Sequence, residues 1–109
     1  MSPGKEYKKN TKLAFFHRDL YNGYVYSLVF TDKARKQYNL LSGKLKNQVD
    51  KGLERIAKNP YLGKPLVGEL KGIWSERVST FRILYKFYEQ KIEVLILLIE
   101  HRKKVYGGH

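Results

Sequence analysis

Three arginines (Arg77, Arg82 and Arg102), with His101 and Tyr106, are the residues of this chain whose types and spacing could carry chemistry. Arg82 draws most attention because it interrupts an otherwise apolar stretch, Phe81-Arg82-Ile83-Leu84-Tyr85. Two readings of it stay open. It could pair with Glu76, Glu93 or Glu100, or be solvated on an open face. Alternatively, its guanidinium could grip a phosphate with two parallel hydrogen bonds. His101, Arg102 and Tyr106 form a second group. When RNA is cut by its own 2′-hydroxyl, the reaction needs a base for that hydroxyl, an acid for the departing 5′-oxygen, and cations around the crowded phosphate. Histidine titrates near neutral pH, and a tyrosine among arginines ionises more readily. His101 and Tyr106 could then exchange protons while Arg77, Arg82 and Arg102 hold negative charge. Taken singly, Tyr106 reads equally well as a ring packed on a sheet, and His101 as a solvated residue at a strand end.

Other chemistries fit the sequence poorly. The three histidines (His17, His101, His109) and the carboxylates show no metal-ligand spacing, and there is no cysteine. Gly63, Gly68 and Gly72 match neither nucleotide-binding glycine pattern. No histidine is placed to serve a serine triad. The expectation is a site without metal or cofactor.

The charge balance narrows the partners. With 22 Lys+Arg against 10 Asp+Glu the formal net charge is +12, which suits a nucleic acid, an anionic surface or an acidic protein. Lys71, Lys86, Lys103 and Lys104 are the lysines nearest the candidate arginines in sequence and the candidate RNA contacts. The absence of cysteine favours a reducing compartment. The longest apolar run, Val94 to Ile99, is far short of the roughly 20 residues of a spanning helix, and Lys5, Glu6, Lys8, Lys9 and Lys12 break up any leader-like stretch. A cytoplasmic protein that does not enter a membrane is expected.

Those residues need elements to hold them. The 109 residues suit one domain, residues 25–109, behind a basic extension, residues 1–24, that ends near Asn22-Gly23. Val25 to Phe30 reads as a first strand. Thr31 and Asp32 offer N-cap oxygens to a helix marked by Ala34, Tyr38 and Leu41. A second helix follows Ser42, with the stripe Leu45, Val49, Leu53 and Ile56, and stops at Asn59-Pro60. The glycine- and proline-rich stretch from Asn59 to Gly72 reads as loop. Three strands then follow, Ile73 to Ser79, Phe81 to Tyr88 and Lys91 to Ile99. Glu89-Gln90 is a poor two-residue turn, so the last hairpin loop should be longer. This predicts an α+β fold: an N-terminal strand, a helix hairpin, then a mostly antiparallel sheet of about four strands and a short C-terminal tail or helix. The helices should cover one sheet face and leave Arg82 and Lys86 on the open one.

From about Tyr26 to Tyr106 the chain resembles the RelE/ParE superfamily of toxins from toxin–antitoxin pairs. The resemblance rests on Tyr26 to Thr31 ahead of the helix hairpin, Lys58-Asn59-Pro60, and Leu66 to Gly72. More specific are the strand Arg77 to Tyr85 and the ending Ile99-Glu100-His101-Arg102-Lys103-Lys104-Val105-Tyr106. It implies a ribosome-dependent, metal-free endoribonuclease acting on messenger RNA, neutralised by an acidic, RelB-like antitoxin. By the same resemblance Arg82 would support the phosphate, Arg102 would be the basic residue ahead of the final tyrosine, and Tyr106 would be catalytic. Arg77 falls where a catalytic lysine or arginine often sits. The chain departs from the pattern at Ser75, where a second basic residue is common, and at Glu76, which adds an acid nearby. A ParE-like inhibitor of DNA gyrase without catalytic activity is the alternative, and Arg102 and Tyr106 argue against it.

Overall fold

The computed structural model describes residues 25–101. Residues 1–24, together with Arg102, Lys103, Lys104 and Tyr106, lie outside the described residues. Strand β1 spans Ser27–Phe30, helix α1 Asp32–Asn39 and helix α2 Gly43–Lys58. Strands β2 (Lys64–Pro65), β3 (Trp74–Val78), β4 (Phe81–Tyr88) and β5 (Glu93–His101) follow. The five strands form one sheet in the order β1-β5-β4-β3-β2. Every pairing is antiparallel except β1 on β5, which is parallel and is made possible by the long excursion between them. The α+β expectation holds. The sheet gains a strand over the expected four, because two residues of the 59–72 stretch read as loop pair with β3.

The local signals act as their chemistry requires. Thr31 caps α1, its Oγ1 accepting a hydrogen bond from the Ala34 backbone N–H at 3.0 Å. On α2 the stripe buries Val49, Leu53 and Ile56 completely, while Leu45 in the first turn remains 39% exposed. Asn59 leaves the helical region just ahead of Pro60, and α2 ends there. Gly52 faces the sheet from mid-helix; a Cβ there would lie less than 3.0 Å from Val78 Cγ2, so the glycine allows α2 to sit directly on β3 and β4. The loop after α2 is pinned by Tyr85, whose hydroxyl donates to the Pro60 carbonyl at 2.7 Å. Burial is the main cause that pushes this phenol up to about 12.

Strand alternation then assigns faces. Ile83, Tyr85, Val94, Ile96 and Ile99 point into the core with the α2 residues and with Leu28 and Phe30 of β1. Ile96 and Ile99 are three apart, so both can face the helices only because β5 carries a bulge. The register runs Leu84 to Leu98 but Tyr85 to Ile96, leaving Leu97 as the extra residue. Its carbonyl accepts from Thr31 Oγ1 at 3.0 Å, so one hydroxyl both caps α1 and satisfies the bulge. The last hairpin loop, residues 89–92, is longer than two residues as expected, and β5 starts at Glu93 rather than Lys91.

Candidate functional site

Arg77 and Arg82 are direct partners across β3 and β4, so their Cβ atoms sit roughly 5 Å apart on the same face, away from the helices. Arg77 is exposed. Arg82 is only 8% exposed, which corrects the expectation that it lies open on an uncovered face. The same face buries Val29, Leu84 and Leu95 at 3%, 6% and 5%. The face is therefore apolar and covered at these three positions, with cations at one end, rather than an open and wholly basic concavity. A guanidinium this deep needs a polar neighbour, and Arg82 donates from Nη1 to Ser75 Oγ at 3.0 Å. Ser75 is itself 4% exposed. Lys86 lies half-buried farther along β4, opposite Leu95. Lys71 is exposed on the loop leading into β3.

Two of the acids proposed as counterparts of Arg82, Glu76 and Glu100, hold other partners. Glu76 pairs with Ile83 and so faces the helices, where Arg55 of α2 reaches it at 3.1 Å; it is not an acid in the arginine row. Glu100 stands opposite Arg82 in the register, and its carboxylate accepts from Gln37 Nε2 at 2.9 Å and meets Lys33 at 3.8 Å. The row across the sheet thus reads Arg77, Arg82, Glu100, with the acid drawn toward α1.

His101 does not join this row. The bulge at Leu97 moves the end of β5 by one residue, so Glu100 rather than Ile99 stands beside Arg82, and His101 stands beside Phe81. Its ring meets Phe81 edge-on at 5.7 Å between centroids. With Phe81, Leu41, Leu45, Gln37 and the 84%-exposed Leu40 it lines a groove of about 490 Å³ at the helix hairpin. The structure therefore brings Arg77, Arg82 and Lys86 onto one face and sets His101 on the other. Ser75 was missed as a contributor from sequence, although its position two residues before Arg77 puts it on the arginine face. Among the described residues, no group of three or more His, Cys, Asp or Glu side chains could hold a metal ion. Among them, no helix is long and apolar enough to cross a membrane.

Comparison with known proteins supplies the family. Residues 28–108 match the model of the ParE-like toxin of type II bacterial toxin–antitoxin systems. Toxin RelG of Mycobacterium tuberculosis is 34% identical over 83 residues, covering 74% of this chain and 95% of RelG. A chain of the toxin–antitoxin complex RelBE2 from the same organism superposes with a TM-score of 0.65 at 32% identity, over 72% of this chain and 92% of that one. The isolated E. coli RelE toxin shares the fold at a TM-score of 0.61 and 20% identity, over 76% of this chain and 92% of its own. The family model spans most of the chain, including β3, β4 and β5, which carry the arginine row, and the chain belongs to the ParE-like toxins of type II toxin–antitoxin systems, within the RelE/ParE superfamily.

Proposed function

We propose that this toxin is a ribosome-dependent endoribonuclease that cuts messenger RNA without a metal and is held inactive by an acidic, RelB-like antitoxin. The observation that carries the reading is the cross-strand Arg77–Arg82 pair, two cations on one face of a rigid antiparallel ladder. Like charges directly opposite each other repel, and a phosphate held between Arg77 and Arg82 would relieve that repulsion, which supports the reading. In the reaction the 2′-oxygen bonds to phosphorus while the bond to the 5′-oxygen breaks, leaving a 2′,3′-cyclic phosphate and a 5′-hydroxyl. Negative charge builds on the non-bridging oxygens, where fixed guanidinium donors stabilise it most. Exposed Arg77 meets the phosphate first, and Arg82 supports it from the floor of the row. Arg102 adds a third cation, and Tyr106 moves the proton, following the resemblance of the C-terminal ending. His101, on the helix side, has no part at the phosphate in this proposal. Lys71, Lys86, Lys103 and Lys104 guide the rest of the RNA, and the +12 charge suits RNA and an acidic antitoxin alike.

A second reading, inhibition of DNA gyrase by protein contact alone, is favoured by the burial of Arg82. Expression of the chain without an antitoxin separates the two. Primer extension on messages from arrested cells should show cuts within translated codons, and Arg82→Ala and Tyr106→Phe should relieve the arrest. Intact messages with DNA damage would replace the nuclease reading by the gyrase one.

A further inference from the structure

Ser75 is a buried hydroxyl in the strand that carries Arg77. Ser75 pairs with Leu84 and Arg77 with Arg82, so Ser75 lies diagonal to Arg82 on the same face. Its Oγ accepts from Arg82 Nη1 at 3.0 Å, with the two residues 4% and 8% exposed. An arginine side chain has many rotamers, and fixing it in one costs conformational freedom. The Arg77 guanidinium directly opposite tends to push it away. A hydroxyl on a short side chain, rooted in a paired strand, counters both effects by holding one arm of the fork. It does so without a charge: a carboxylate here would hold the fork more tightly and would cancel the cation that a phosphate needs.

We propose that Ser75 is a positioning residue, whose hydroxyl sets the orientation of the Arg82 guanidinium so that Arg77 and Arg82 present one preformed fork to a phosphodiester. The inference rests on the nuclease reading above, and its test keeps the two apart. With purified full-length protein and ribosomes programmed with a defined message, Ser75→Ala should slow single-turnover cleavage about tenfold, as loss of one charge-assisted hydrogen bond does. Ser75→Thr, which keeps the hydroxyl, should restore the rate to within about threefold of wild type. If Ser75 acts through Arg82, Ser75→Ala should lower affinity for a short single-stranded RNA in the wild-type background and add nothing in an Arg82→Ala background. In nitrogen-15 spectra of the wild-type protein, the two Nη groups of Arg82 should be resolved, because the hydrogen bond slows rotation of the guanidinium.

Equal losses in the two backgrounds, or a Ser75→Ala variant that cuts like wild type while Arg82→Ala does not, would overturn the role of Ser75 and leave the nuclease reading standing. Cleavage unaffected by Arg82→Ala would overturn both. Should Ser75→Ala fail to fold, a single averaged Nη signal for Arg82 in the wild-type protein would still refute the inference.

Discussion

Gly52→Ala sets two effects of known size against each other. Alanine is the better helix former by about 1 kcal/mol, so propensity alone predicts a more stable protein. The added methyl, however, lies less than 3.0 Å from Val78 Cγ2 and 3.4 Å from Ile83 Cδ1. Comfortable carbon–carbon contact is roughly 3.5–4.0 Å. Val78 is β-branched and 4% exposed in a paired strand, so it has no free rotamer into which to retreat. Relief requires α2 to lift from β3 and β4, which loosens Leu53 and Ile56 against the sheet; overpacking of this kind costs about 1–3 kcal/mol. Sterics should win, with a net loss of about 1 kcal/mol at the middle of that range and about 2 at its upper end. In a domain of this size that lowers Tm by about 4–8 °C per kcal/mol, readable by thermal or urea denaturation followed by circular dichroism. The control is Val78→Ala, in which the clashing methyl is gone: there Gly52→Ala should be neutral or stabilising. A Gly52→Ala protein as stable as wild type, or equal costs with and without Val78, would refute the claim that this glycine sets the helix–sheet distance.

Thr31→Ala should cost about 1–2 kcal/mol, since one hydroxyl caps α1 and satisfies the Leu97 carbonyl, while Thr31→Ser should recover most of it; chemical denaturation measures both. The Tyr85 phenol, raised to about 12 when folded against about 10 unfolded, stabilises the fold fully below pH 10. That contribution is lost as pH rises from about 10 toward 12, because the unfolded chain ionises first. Tyr85→Phe should lower stability at neutral pH by about 1–2 kcal/mol, through loss of the bond to Pro60, and flatten its decline across that alkaline window. Arg77→Ala should reduce the slope of log affinity against log salt for a short single-stranded RNA by about 0.7, as expected when one fewer phosphate is neutralised. An unchanged slope in fluorescence anisotropy would remove Arg77 from the interface.

The helices and β4 are legible in the sequence because each carries a strong period: Val49, Leu53 and Ile56 at helical spacing, and Phe81, Ile83, Tyr85 and Phe87 on alternate positions. Cross-strand pairing of Arg77 with Arg82 follows from the short turn between two such strands. What was not legible depends on register. The bulge at Leu97 leaves no mark in a run as uniformly apolar as Val94 to Ile99, yet it decides that His101 faces Phe81 and Glu100 faces Arg82. The parallel placement of β1 beside β5 and the two-residue strand Lys64–Pro65 come from long-range pairing that no local pattern announces. Burial of Arg82 was missed for a similar reason: the face opposite the helices is apolar at Val29, Leu84 and Leu95, residues scattered over three strands.

Cleavage of a ribosome-bound message by purified protein bears most directly on the idea that Arg77 and Arg82 hold one phosphodiester. Wild-type protein should cut within the exposed codon, and the Arg82→Ala variant should cut at least a hundredfold more slowly while remaining folded. Equal rates for the two proteins would contradict it.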